Sequence, residues 1–291
     1  MSVANERKVI FNADDFGLDA SVNAAVASAH QYGVLNSASL MVSAAAASEA
    51  IQLARNLPDL GVGLHLTLVD GYPVLPAAQV PDLVDAHGRF AADLWRRGVR
   101  YFFLPRVRRQ LAAEIAAQYA AFADSGLHLD HVNAHKHLHA HPTVLHLLIE
   151  IGKRFALRAV RIPREPLALA RQLAPVTGSA ALGARLLLPW VARMRHVIRS
   201  QGLFCNDLLL GLQSTGQMDA DRLQRALAVV PAGQVTELYF HPAQEQTTQL
   251  RQLMPDYRPA AEWRALCAPE LAANLRAQGI RTGTYHDFAC G

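Results

Sequence analysis

Short apolar runs recur along the chain, each closing on Gly, Pro, Asp or His, and most lead into a stretch with helical spacing. Residues 8–14, K-V-I-F-N-A-D, read as a buried parallel strand that stops at Asp14-Asp15-Phe16-Gly17. Asp19 caps a following helix that carries Val22, Val26 and Ala29 and closes near Gly33. The same reading predicts strands over 37–42, 61–68, 129–134, 158–163 and 235–240, a short apolar segment over 204–210, and a last strand over 280–285. Helices are expected to about Leu57, over 111–123, from Pro142 to about Phe155, over 182–200 with a break at Pro189, from Asp219 to about Val229, and over 263–278.

Strands that alternate with helices imply a parallel sheet with right-handed crossovers. About seven such units predict an α/β fold of the (β/α) barrel type, TIM-barrel-like and distorted, in one domain spanning residues 1–291. Pro- and Gly-marked excursions fall near 71–105 and 165–205. No G-x-G-x-x-G follows the first strand, which removes the main support for a dinucleotide fold.

The net charge of +4, nearly all from Arg, permits an anionic surface as a partner. No helix-turn-helix or aromatic RNA-binding signature accompanies it, so nucleic acid is not an expected partner. The first residues lack the apolar core of a secretory signal, and no apolar run approaches the ~18 residues of a membrane span. Three cysteines without C-x-x-C spacing fit neither a disulfide framework nor a thiolate zinc site, and a cytoplasmic location is expected.

Candidate chemistry gathers at the strand ends. The tract from Leu129 to Pro142 holds His131, His135, His137, His139 and His141, all of one parity, so an extended backbone would aim them to one side. Asp14/Asp15, His65, this tract and His241 all stand at or near C-terminal strand ends, which in a barrel meet on the face where active sites form. Asp14 and Asp15 alone would read as a helix N-cap pair, and His65 alone as a core histidine. Together, one Asp and two His with open positions suit a catalytic divalent ion. His241 reads as a ligand or a proton donor. Arg161 and Glu165 read either as a surface ion pair or as groups that orient a ligand or substrate.

The ordered runs A-D-D-F-G (13–17), G-L-H-L-T-L (63–68), N-A-H-K-H-L-H-A-H-P (133–142) and E-L-Y-F-H-P (237–242) resemble the YdjC-type carbohydrate deacetylase family. G-Y-P-V-L-P (71–76) and V-P-D-L-V-D (80–85) are similar to its hopanoid-biosynthesis-associated, HpnK-like branch. The resemblance implies one divalent ion, Zn²⁺ with Mg²⁺ or another ion as the alternative, held by Asp15, His65 and His135. His137 is the alternative third ligand. It also implies Asp14 as general base and His241 as general acid. His137, His139, Arg161 and Glu165 are the candidate residues on the substrate side.

The implied substrate is an N-acetylglucosamine-containing glycolipid of hopanoid type, deacetylated to the free amine and acetate. Chitooligosaccharide-acting relatives tend to read D-S-H-H-H-V-H where this chain has Asn133, Ala134 and Lys136, which weighs against that soluble alternative. A metal-dependent phosphoesterase and a non-catalytic sugar or lipid carrier are the rival classes. Residues 182–198 place Leu182, Leu186, Trp190, Val191, Met194, Val197 and Ile198 at helical spacing beside Arg185, Arg193, Arg195 and Arg199. Together with W-R-R-G-V-R-Y-F-F (95–103), they read either as packed helices or as a peripheral membrane contact.

Overall fold

A computed structural model describes residues 6–90 and 93–290, without the side chains of residues 94–97. Seven parallel strands form one sheet: β1 (Arg7–Phe16), β2 (Ser37–Leu40), β3 (Gly61–Leu66), β4 (Val132–Ala134), β5 (Leu208–Leu210), β6 (Val235–Phe240) and β7 (Ile280–Thr282). Their order is β4-β3-β2-β1-β6-β5, with β7 on the first residues of β1. The sheet curls as a distorted half-barrel and does not close as a full barrel. The expected strand over 158–163 is the reason: it makes only single parallel bridges, Val132 with Val160 and Ala159 with Phe204.

The strands have two faces of different chemistry. Phe11, Ala13, Leu40, Leu64, Leu66, Leu238 and Phe240 join the large apolar core that the helices cover. Alternate residues, Asn12, Asp14, Ser39, His65, His131, Asn133, Glu237 and Tyr239, are buried on the inner side. A polar interior of this kind is tolerated only where its groups find partners.

The helix over Ala20–Tyr32 begins at Asp19, whose side chain accepts from the Ser21 N–H, and ends at Gly33. Several element boundaries differ from expectation. The helix expected over 111–123 starts earlier, at Pro105, and runs to Asp124. Pro189 does not break its helix, which runs from Gly178 to Ser200 with Pro189 on the exposed side. The stretch 263–278 divides into Pro259–Leu266 and Leu271–Ala277. The last strand ends at Thr282, because Thr284 and Asp287 form a capping box that starts a helix at Tyr285. Residues 95–103 lie in a helix, Leu94–Phe103, but the side chains of its first turn lie outside the described set.

Candidate metal and catalytic centre

Adjacent residues of a strand point to opposite faces, yet Asp14 and Asp15 both reach the site. The β1–β2 register explains this: Ala13 pairs with Ala38 and Phe16 with Leu40, so β1 carries one extra residue between them. Asp15 takes the left-handed conformation within this bulge, φ 63°, which Asp accepts more readily than most side chains. Asp15, His65 and His135 thereby present three ligand atoms within 4.8 Å of one another.

The histidine tract is not extended. Lys136 and His137 have φ of 51° and 54°, and residues 135–140 fold into a tight turn after β4. The five rings therefore part company. His135 faces Asp15, with Nδ1 2.9 Å from Oδ1. His137 lines the cavity beside it. His139 is buried beneath the turn, where its Nδ1 accepts from the Ala134 N–H, and it does not line the cavity. His141 caps the helix Pro142–Gly152. His131 is buried on the inner side of the sheet beside Asp130 and does not line the cavity.

The donor set fits a cation. Asn133 uses both amide hydrogens, toward Ser39 Oγ at 2.9 Å and Asp14 Oδ1 at 3.2 Å. Its oxygen therefore accepts from His65 Nδ1, 2.6 Å away. His65 Nε2 is left facing Asp15 Oδ1 at 3.3 Å, and the other oxygen, Oδ2, is buried with no donor. Two acceptors that face each other call for a proton or a metal ion between them. Burial alone lowers the His65 pKa, but the Asp14 charge and the Asp15 carboxylate outweigh it and raise the value. Burial likewise raises Asp15, and His135 followed by His65 brings it well below the carboxylate range.

Asp14 lines the same cavity from below. Arg161, fully buried, donates to its Oδ2 at 2.6 Å and its Oδ1 at 2.9 Å, and holds Glu237 with the rest of its guanidinium. Burial would raise the Asp14 pKa, but the Arg161 and His65 charges hold the carboxyl far below its usual range. Arg161 does not reach the cavity, so its observed contacts are with Asp14 and Glu237, not with a surface partner. Glu165 also makes no ion pair with Arg161. It accepts the N–H groups of Gly211 and Gln213 and so holds the loop after β5.

His241, at the end of β6, packs edge-on between Tyr239 and Tyr257. Its backbone N–H is held by Glu262 at 2.5 Å. Burial lowers the pKa of the His241 ring below the ordinary histidine value, which favours the neutral ring near pH 7. Burial also takes His137 down to about 3. In the sequence Asn133 stands out only as a departure from the chitooligosaccharide-type motif, and Asn12, Ser39, Glu237 and Tyr239 not at all. The available signal was a polar or hydroxyl-bearing residue at alternate positions of an otherwise apolar strand.

The cavity above this centre has a volume of about 390 Å³ and is also lined by Leu18, Met41, Leu212, Thr215 and Met254. A second, of about 330 Å³, shares Lys136, His137 and Leu212 with it and continues under Leu187, Leu188, Trp190 and Val191. Lys136 at this junction pairs with Asp70.

Among known proteins, a carbohydrate deacetylase of Brevibacillus brevis is 40% identical over 156 residues, 54% of this chain. The match spans 59% of that relative's length. A carbohydrate deacetylase of Geobacillus stearothermophilus is 29% identical over 97% of this chain and 98% of its own. A crystal structure of an Enterococcus faecalis V583 protein shares the fold, with a TM-score of 0.75 and 24% identity over 97% of this chain and 99% of that one. The family model described as YdjC-like protein matches residues 8–277, and the chain belongs to that family.

Proposed function

We propose that residues 1–291 act as one catalytic unit, a metal-dependent carbohydrate N-deacetylase. Its substrate would be an N-acetylglucosaminyl glycolipid of hopanoid type. The observation that carries this reading is the convergence of Asp15, His65 and His135 beside Asp14 and His241 at one cavity. The deacetylase names of the relatives supply the reaction class.

Asp15, His65 through Nε2, and His135 would hold the ion, and one carboxylate with two imidazoles suits Zn²⁺. A divalent ion there supplies a Lewis acid for water and for the acetyl carbonyl. Asp14, kept ionised by Arg161, would accept the proton of the attacking water. His241 rests neutral and must take up a proton before it can donate to the departing amine. Tyr239 and Tyr257 fix the plane of that ring.

The sugar would occupy the first cavity and the apolar aglycone the second, against Leu187, Leu188, Trp190 and Val191. No helix among the described residues is long and apolar enough to cross a membrane. Leu182, Leu186 and Leu187 are nonetheless exposed on the helix beside the second cavity, as are Phe102 and Phe103 on the helix that touches His141. Exposed apolar side chains beside the second cavity favour work at a lipid surface.

Acetate release from N-acetylglucosaminyl hopanoid and from chitobiose, with and without added Zn²⁺, tests the proposal. Release from the glycolipid in preference is the expected result. Release from chitobiose alone would move the assignment to soluble oligosaccharides, and release from neither would remove the deacetylase reading.

A further inference from the structure

The mechanism leaves His131 unused, although it is fully buried and surrounded by polar groups. Space is reserved for its ring: a Cβ added at Gly63 of β3 would stand 2.4 Å from His131 Cε1. The ring also stacks on Tyr285 with centroids 4.5 Å apart, and Tyr285 donates to Glu237, the second partner of Arg161.

Its hydrogen bonds have one consistent direction. Asp130 accepts the His286 N–H at 2.8 Å and the Tyr285 N–H at 3.4 Å, which anchors it to the last helix. His131 Nδ1 stands 2.9 Å from Asp130 Oδ2 and donates to it, so Nε2 is the acceptor. Ser39 Oγ receives amide hydrogens from Asn12 at 3.1 Å and Asn133 at 2.9 Å. With both lone pairs used, its own hydrogen goes to His131 Nε2 at 3.0 Å, in preference to Asn12 Oδ1 at 3.4 Å. Asn133 is thereby prevented from flipping, and its oxygen stays on His65 Nδ1. A flipped amide would put an N–H against that nitrogen and a carbonyl against Asp14.

We infer that Asp130, His131 and Ser39 are positioning residues that act through Asn133 to hold His65 with Nε2 bare toward Asp15. The inference rests on the proposed metal site, because a bare Nε2 matters only to a ligand. Groups that orient a metal-bound histidine typically contribute 10–100-fold to affinity. Each link is buried, where an amide with no competing water keeps one orientation.

The test is Zn²⁺ affinity of the metal-free protein, measured by chelator competition without substrate, beside its melting temperature. Ser39→Ala removes the acceptor for Asn133, and His131→Phe keeps the ring on Tyr285 while removing both nitrogens. Each is expected to weaken Zn²⁺ binding by about 10–100-fold. The double variant should lose no more than the worse single one, since the links act in series. Unchanged affinity in Ser39→Ala would overturn the inference, whether or not His131→Phe folds. Losses that multiply in the double variant would also overturn it. A wild-type protein that binds no Zn²⁺ would remove the metal reading itself, and the inference with it.

Discussion

Arg161 divides its guanidinium between Asp14 and Glu237 on the inner side of the sheet, with no exposure to solvent. Removing one partner of such a buried network leaves uncompensated charge and costs on the order of 3–5 kcal/mol. Arg161→Met should therefore lower the melting temperature sharply. The sign with pH follows. In the wild type, the depressed Asp14 pKa gives stability above the unfolded carboxylate range that is lost only in strong acid. Without Arg161 the Asp14 pKa should move up, because burial is then opposed only by His65 and His241, and this stabilising contribution shrinks. Melting curves of the two proteins should diverge as pH increases from 4 to 8, and parallel curves would show that Arg161 does not set the Asp14 charge.

The division of labour between the two adjacent carboxylates is testable by elemental analysis. Asp15→Asn, His65→Ala and His135→Ala should each lose bound metal, whereas His137→Ala should keep it. Asp14→Asn should retain metal and lose turnover by about 10²–10⁴-fold, the usual contribution of a general base. Metal loss in Asp14→Asn equal to that in Asp15→Asn would make Asp14 a ligand.

Glu262 links stability to the position of His241. Burial raises its pKa from 4.5 to about 7, although the N–H groups of Met218 and His241 favour the charged form. A raised carboxyl contributes stability below its unfolded pKa that is lost as pH rises through the folded value. The loss between about pH 4.5 and 7 is on the order of 3 kcal/mol. Glu262→Gln, although it gives up one acceptor, should flatten this part of the melting temperature–pH curve. A slope identical to wild type would exclude Glu262 as its source.

For His241 as the acid, the neutral resting ring implies that kcat/KM falls as pH rises, on a limb below the ordinary histidine value of about 6.5. His241→Asn should lose that limb together with about 10²–10⁴-fold in rate. Survival of the limb in the variant would assign it to another group.

The proposed membrane contact would be narrower than the arginine count implies. Arg195 and Arg199 both bind Asp207, which leaves Arg185 and Arg193 exposed for anionic head groups. Each would contribute about 1 kcal/mol at such a surface, screened by salt. Co-sedimentation with anionic liposomes should weaken at high salt. Replacing Arg185 and Arg193 with Gln, or Leu186 and Leu187 with Ser, should reduce it and lower activity on embedded substrate while sparing a short soluble N-acetylglucosaminide. Equal loss on both substrates would tie the helix to the sugar cavity instead.

The linear sequence by itself determined the strand–helix alternation and which strand ends carry Asp14, Asp15, His65 and His241. Period and capping are local: an apolar run needs burial whatever its partner, and Asp19 caps its helix through the Ser21 N–H two residues on. The tertiary structure alone decided how those groups face. Parity would have separated Asp14 from Asp15 and united five histidines. A one-residue bulge in β1 brings the two carboxylates to one site, and left-handed turns at Lys136 and His137 scatter the histidines. Neither event has a period to read, because the bulge depends on the neighbouring strand and the left-handed turn at Lys136 and His137 on the packing around it. The inner polar layer was hidden for the same reason. Asn12, Ser39, Asn133 and Glu237 are ordinary residues one by one, and acquire roles only where curvature of the sheet brings hydrogen-bond partners up to 147 residues apart within reach, as for Arg161 and Asp14.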